Sequence, residues 1–293
     1  MKNIILTMAV VLLSMNVAQA KDSLQFIVPG DGTGSFKPRI QELKQQLSES
    51  YGADVDVRWV GNCAKAKQII QSTVHPTITI WDAGWNTTTE CKFDVSTSNI
   101  IAVETNYMRF CASNVAVNTS GALIAISGGF KVGHSTPHTA YSKWFDKFNH
   151  AAKTNLSPVP YGSSGRARRG MLAGDVDYIF VSPSNANKVM KNGGKCDYST
   201  APNGEPKYNL AALRTVVDFP EATINQAYFY SSKNVSEADL FALRDLFSFI
   251  ADDKTSNYNV WADTKDISLS GISKLDTDEM LTLVETTVEL WSN

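Results

Sequence analysis

The chain has 293 residues and a formal net charge of −2. That balance excludes a general nucleic-acid binder, which needs a basic excess to displace phosphate counterions. The length suits one large or two medium domains, and beyond the N-terminus no long apolar run offers a membrane span.

Met1 to Ala20 reads as a cleavable signal peptide. Lys2 supplies the positive start, Ile4 to Leu13 the short apolar run, and Ala18-Gln19-Ala20 the small-x-small cleavage site. The run is too short for a hydrocarbon core of roughly 30 Å, and Ser14, Asn16 and Gln19 follow it at once. No Cys follows that would carry a lipid. A soluble chain exported to the periplasm is expected, slightly more acidic for the loss of Lys2.

Leu24 to Val28 is a continuous apolar-rich run, as in a strand covered on both faces. Pro29 to Ser35 breaks it with three glycines. Ile40, Leu43, Leu47 and Tyr51 then form a helical stripe ending at Gly52. A strand at Val55–Val60, a helix at Cys63–Gln71 and a strand at Thr77–Trp81 complete a βαβαβ pattern, the signature of a parallel sheet.

The same grammar restarts after residue 105. Tyr107 to Val117 reads as an extended crossing segment, and Phe130 to Gly133 as a short strand. A helix with Tyr141, Trp144, Phe145, Phe148 and Ala152 on one side follows. A strand at Leu156–Pro160, a helix at Gly165–Ala173, a strand at Tyr178–Val181 and a helix at Ser182–Asn192 come next. Asn192 to Lys207 is expected to be irregular, and Leu210 to Val217 to be a strand. Asn225 to Tyr230 reads as a further strand. Ser236 with Asp239, and Asp276 with Glu279, mark two helix starts, the second opening a final helix from Thr277 to Trp291.

Cys63, Cys91, Cys111 and Cys196 remain after export, an even count that fits two disulfides with three possible connectivities. Cys63–Cys91 with Cys111–Cys196 is expected, because each bridge then stays within one predicted lobe; buried free thiols are the alternative. There is no CxxC, and His134 and His138 lie far in sequence from every Cys, so no metal is expected.

Three glycine-rich turns lie between a strand end and a helix start: Gly30-Asp31-Gly32-Thr33-Gly34-Ser35, Gly133-His134-Ser135-Thr136 and Tyr161-Gly162-Ser163-Ser164-Gly165. In open α/β sheets ligands gather there, and free N–H groups at a helix start suit an anion. Thr33, Ser35, Ser135, Thr136, Ser163 and Ser164 add hydroxyl donors. The turns lack the Lys of a phosphate loop and the glycine spacing of a dinucleotide fingerprint, so no nucleotide or other cofactor is expected.

Among Arg166, Arg168 and Arg169, one could pair with a carboxylate or phosphate; a solvated helix face is the other reading. Asp175 and Asp177 flank the entry to a strand and are not expected to work as an acid–base pair. Asp177 is expected to brace a ligand loop. Trp81, Trp85 and Tyr161 are candidates to line a cleft or fill a core. Gly162 and Gly165 are three apart, not the four of a nucleophile elbow, so catalysis is not expected.

Four stretches, in order, resemble the periplasmic solute receptors of tripartite tricarboxylate transporters, a branch of the type II periplasmic-binding-protein fold. They are Phe26-Ile27-Val28-Pro29-Gly30, Lys131-Val132-Gly133-His134-Ser135, Val159-Pro160-Tyr161-Gly162 with Met171-Leu172-Ala173-Gly174-Asp175-Val176-Asp177, and the end of the chain at Glu289-Leu290-Trp291. The third is the most specific. The departures are Asp31 in the first turn, Val60-Gly61-Asn62-Cys63 in place of a glycine-rich second loop, the cysteines and the triple Arg.

The resemblance implies a two-lobed α/β fold, each lobe a mostly parallel sheet flanked by helices. Residues 21–104 and 225–293 would form one lobe, and 105–224 the other. It implies a monomeric receptor that holds a small anionic solute, a carboxylate, between the lobes for a membrane permease. By position the ligand would meet Gly30–Ser35, Gly133–Thr136 and Tyr161–Ser164, with Asp177 nearby. Phosphate or another oxyanion, suggested by the Ser/Thr-rich turns and Arg166, is the alternative ligand. A receptor for a sensor kinase and a periplasmic hydrolase are the alternative functions.

Overall fold

Each half of the chain builds three parallel strands by one rule: a short apolar strand, a turn, and a helix that carries the chain back to its starting edge. The computed structural model describes residues 24–30, 32, 36–82, 85, 89–92, 99–112, 129–134, 139–161, 163–215, 225–232 and 234–271. The expected signal peptide and final helix lie outside them.

The first set runs β1 (Leu24–Val28), α1 (Phe36–Tyr51), β2 (Val55–Trp59), α2 (Cys63–Ser72) and β3 (Thr77–Asp82), then β4 (Asn99–Asn106). The second begins with β5 (Arg109–Ala112), β6 (Lys131–His134), α3 (Thr139–Ala152), β7 (Ser157–Pro160) and α4 (Ser164–Ala173). It continues through β8 (Tyr178–Val181), α5 (Pro183–Lys191), β9 (Lys195–Ser199) and β10 (Ala211–Ala212). The chain then returns to the first sheet with β11 (Asn225–Ser231), α6 (Glu237–Asp252), α7 (Asn257–Asp263) and β12 (Ile267–Gly271).

Among the described residues two six-stranded sheets result, ordered β12-β4-β11-β3-β1-β2 and β10-β9-β5-β8-β6-β7. Within them β2-β1-β3 and β7-β6-β8 are parallel. The strands that arrive from the other sheet run the opposite way. β5 is antiparallel to β8 and β9, and β11 is antiparallel to β3 and β4. A strand entering at the edge where parallel strands end must run against them. β4 therefore leaves, β5 enters and β11 returns at the carboxyl edges, and those two edges form the seam between the lobes.

The helices follow their apolar spacing. Phe36, Ile40, Leu43 and Leu47 of α1 are buried against the first sheet beside Phe26, Val28 and Ile78. Pro38 sits in the first turn of α1, where no helical N–H bond is lost. Ser236 opens α6 as expected, accepting from the Asp239 N–H at 3.1 Å and donating to its carboxylate at 2.6 Å. In the second sheet, Phe110 and Phe180 face each other across β5 and β8 with ring centroids 4.7 Å apart. Trp144, four residues before Phe148 on α3, stacks on Phe180 at 4.8 Å. Each such fully buried aromatic contributes about 1.5–3 kcal/mol.

Several elements differ from the sequence reading. Of the expected extended segment Tyr107–Val117, Tyr107-Met108 crosses between the sheets and Arg109–Ala112 forms β5, while 113–117 lie outside the described residues. Asn192–Lys207 is not irregular throughout, because Lys195–Ser199 pairs with β5. Among the described residues of Leu210–Val217, only the two of β10 are strand, since Leu213 turns inward in a short 3-10 segment and is fully buried. β4, α7 and β12 were not anticipated. Cys63 is bonded to Cys91 and Cys111 to Cys196, the expected pairing. The second bridge joins residues directly opposite each other on β5 and β9.

The first sheet also contains a buried charge. Glu104 of β4 is fully buried and meets Arg39 Nε of α1 at 2.8 Å, while the Tyr258 hydroxyl of α7 donates to its other oxygen at 2.6 Å. Burial and then the Glu104 charge push the Tyr258 phenol well above its ordinary pKa, so it remains a donor. Glu104→Ala takes away the buried carboxylate that Arg39 and Tyr258 both meet and should cost about 3–5 kcal/mol, read as a lower urea midpoint. Tyr258→Phe, which strands no charge, should cost clearly less.

Candidate ligand site at the facing strand ends

On the first sheet, hydrogen bonding continues past the strands into the turns. Val60 N–H donates to the Val28 carbonyl at 3.1 Å, and Gly61 N–H to the Gly30 carbonyl at 3.0 Å. Gly30 and Gly32 have φ of 114° and 76°, a region that L side chains avoid. A Cβ on Gly32 would also lie 3.3 Å from the Trp59 ring. The turn after β1 is thus laid against the end of β2. Asp31, Thr33, Gly34 and Ser35 lie outside the described residues.

Trp85, partly exposed beyond β3, meets Phe36 edge-on at 5.5 Å and Trp81 at 5.2 Å. Trp81 itself is fully buried and belongs to the core. Trp59 is the aromatic that the sequence reading missed. Its signal was its place as the last residue of a strand beside a glycine turn.

On the second sheet, Tyr161 N–H donates to the His134 carbonyl at 3.0 Å, joining the turns after β6 and β7. The Tyr161 side chain turns inward. A Cβ on Gly133 would lie 3.0 Å from its ring, and one on Gly170 would collide with its phenol. Tyr161 is therefore a half-buried wedge between β6 and α4. Ser163 caps α4 by accepting from the Arg166 N–H at 3.2 Å. Ser164 accepts from the Ser182 hydroxyl at 3.4 Å, which brings the starts of α4 and α5 together. Arg166 is exposed in the first turn of α4. Ser135, Thr136 and Gly162 lie outside the described residues.

Two expected site residues point elsewhere. Asp177 precedes β8 and accepts from the N–H of Lys131, the first residue of β6, at 2.8 Å. It sits at the amino edge of the sheet, about 10 Å of strand away from the turns. It braces the strand starts, because a carboxylate there satisfies an otherwise open N–H. His134 is fully buried, its ring 6.0 Å from Phe145, so its imidazole faces the core.

What the edge offers is backbone and helix starts. α1, α3, α4 and α5 each begin after the carboxyl end of a parallel strand, so their first-turn N–H groups and positive dipole ends share that edge. Among the described residues no group of three or more His, Cys, Asp or Glu is placed to hold a metal ion, and no helix is long and apolar enough to cross a membrane.

No family model and no curated protein matches the sequence. Solved structures do match in fold. The chain is similar to the R. palustris protein Rpa4515 with adipate, at 15% identity and TM-score 0.71, over 92% of this chain and 96% of that one. It is similar to MatC from Rhodopseudomonas palustris with bound malate, at 13% identity and TM-score 0.67, over 92% and 97%. A TctC solute binding protein from Polaromonas gives 13% identity and TM-score 0.70, over 92% and 97%. The chain therefore has the two-lobed fold of these periplasmic binding proteins.

Two outcomes test this geometry. Burial lowers the His134 pKa from 6.5 to about 4. As pH falls through that window the unfolded chain takes up a proton that the folded chain refuses. Stability should therefore drop by up to about 3 kcal/mol. Urea titrations on either side of the window should show a smaller drop for His134→Leu, and equal drops would refute the assignment. Gly170→Ala should displace Tyr161 and cost about 1–3 kcal/mol in the same assay.

Proposed function

We propose that this chain is a periplasmic receptor that closes two lobes on a small carboxylate and delivers it to a membrane permease. One lobe is the sheet of residues 24–106 and 225–271, and the other the sheet of 109–212. The observation that carries the reading is the shared edge: both parallel strand sets end there in glycine turns and helix starts. Backbone N–H groups and helix dipoles at that edge suit an anion without any fixed cation. The similar structures that hold adipate and malate favour a carboxylate over other anions. Such a receptor needs no chemistry of its own, and the inward-facing His134 leaves the edge without its imidazole as a base.

Thermal unfolding of the purified mature chain with adipate, malate, citrate and phosphate tests this. A carboxylate at a hundredfold excess over its Kd stabilises by about 2.7 kcal/mol. That corresponds to a rise of about 2–4 °C in Tm for each kcal/mol in a chain of this size. No shift with any carboxylate would sink the reading, and a shift with phosphate alone would favour the oxyanion alternative.

A further inference from the structure

Arg109 is the first residue of β5, separated from the end of β4 by Tyr107 and Met108 alone, and it is fully buried. Its Nε and Nη2 each meet a Glu205 carboxylate oxygen at 2.6 Å, and its Nη1 donates to Asn187 Oδ1 at 2.7 Å. The Tyr208 ring lies 4.2 Å from its guanidinium carbon. All three of these partners belong to the second lobe. A fourth does not. Nη2 also reaches Asp266 Oδ2 at 3.1 Å, and Asp266 immediately precedes β12 of the first lobe. The same carboxylate accepts from Asn187 Nδ2 at 3.2 Å and from the Tyr208 hydroxyl at 2.8 Å, with Lys207 Nζ at 3.6 Å.

The strand orders fix the side of the crossing on which this contact sits. In the first sheet β12 flanks β4 on one side, and β11, β3 and β1 lie on the other. In the second sheet β9 and β10 flank β5 on one side, and β8, β6 and β7 on the other. Asp266 leads into β12, and Glu205, Lys207 and Tyr208 lie between β9 and β10. The glycine turns follow β1, β6 and β7. The contact and the turns therefore occupy opposite flanks of the Tyr107-Met108 crossing. That crossing is itself pinned to Thr200, which accepts from Met108 N–H through its hydroxyl at 2.9 Å and donates its own N–H to the Met108 carbonyl at 2.9 Å.

We infer that Asp266 is a counter-latch: by binding Arg109, Asn187 and Tyr208 across the lobes, it holds shut the flank that must widen when the glycine-turn flank closes. Rotation about the crossing brings one flank together only by parting the other. The latch sets how readily the lobes close, and with it ligand affinity, without touching ligand.

Asp266 can be removed without leaving a buried cation, because Glu205 still neutralises Arg109. Its backbone φ of 53° is one that Gly and Asn accept. The test is small-angle X-ray scattering of the ligand-free, full mature chain carrying Asp266→Gly, with the fold checked by circular dichroism. Asp266→Asn keeps the side-chain shape and serves if the Gly variant does not fold. Lys195→Ala, which breaks a pair confined to the second lobe, is the control.

Asp266→Gly should lower the radius of gyration, Asp266→Asn should lower it less, and Lys195→Ala should leave it unchanged. The Kd for adipate should fall about three- to tenfold in Asp266→Gly. An unchanged or larger radius in folded Asp266 variants would overturn the latch, as would a smaller radius with no gain in affinity. The affinity arm alone rests on the carboxylate reading: if adipate binds neither wild type nor variant, that reading fails and the scattering still decides the latch.

Discussion

Because the parallel strands of both sheets finish at one edge, every segment that passes between the lobes has to do so there and then run backwards through its new sheet. This constraint places β5 and β11 as antiparallel strands amid parallel neighbours. It also sets the starts of α1, α3, α4 and α5 around a common seam, so the positive ends of these helices gather there. The proposed binding and the proposed latch thus rest on the same topological fact.

The charged groups divide along that seam. Glu104, Arg39 and Tyr258 lie inside the first lobe, where a buried carboxylate is held by one guanidinium and one phenol. Around Arg109 two carboxylates share one guanidinium, and they come from different lobes. Burial alone would lower the basicity of Arg109, and the hydrogen bonds and charges of Glu205 and Asp266 more than offset it. The inner cluster fixes a core. The seam cluster can give up one partner and stay neutralised.

Much of the architecture was legible because it rests on local pattern. β1, β8, α4 and the Ser236 cap follow from apolar period and capping chemistry within a few residues. β9 was not legible. Lys195-Cys196-Asp197-Tyr198-Ser199 has no apolar run, and its strand character comes from Cys111 and β5, more than eighty residues earlier. β12 likewise owes its place to β4. The glycine turns were readable as candidates, but inward or outward direction was not. Tyr161 and His134 turn to the core because Gly133 and Gly170 leave room and Phe145 waits there. Asp177 sits at the wrong end of its strand for a ligand. The Arg109–Asp266 contact spans 157 positions and carries no motif at all.

The order of the first sheet has a consequence for how the chain is made. β11 lies between β3 and β4, although its start comes 143 residues after the end of β3 and 119 after the end of β4, with the whole second lobe between. Until residue 231 has emerged, β3 and β4 cannot be joined, and each keeps a row of unpaired amide and carbonyl groups beside apolar side chains. A chain delivered from its amino end would therefore complete its second lobe first, from a contiguous stretch, while its older half waits with an open seam. Such a half-built sheet is the species most exposed to wrong partners, and protecting it during delivery matters more than protecting any other part of the molecule.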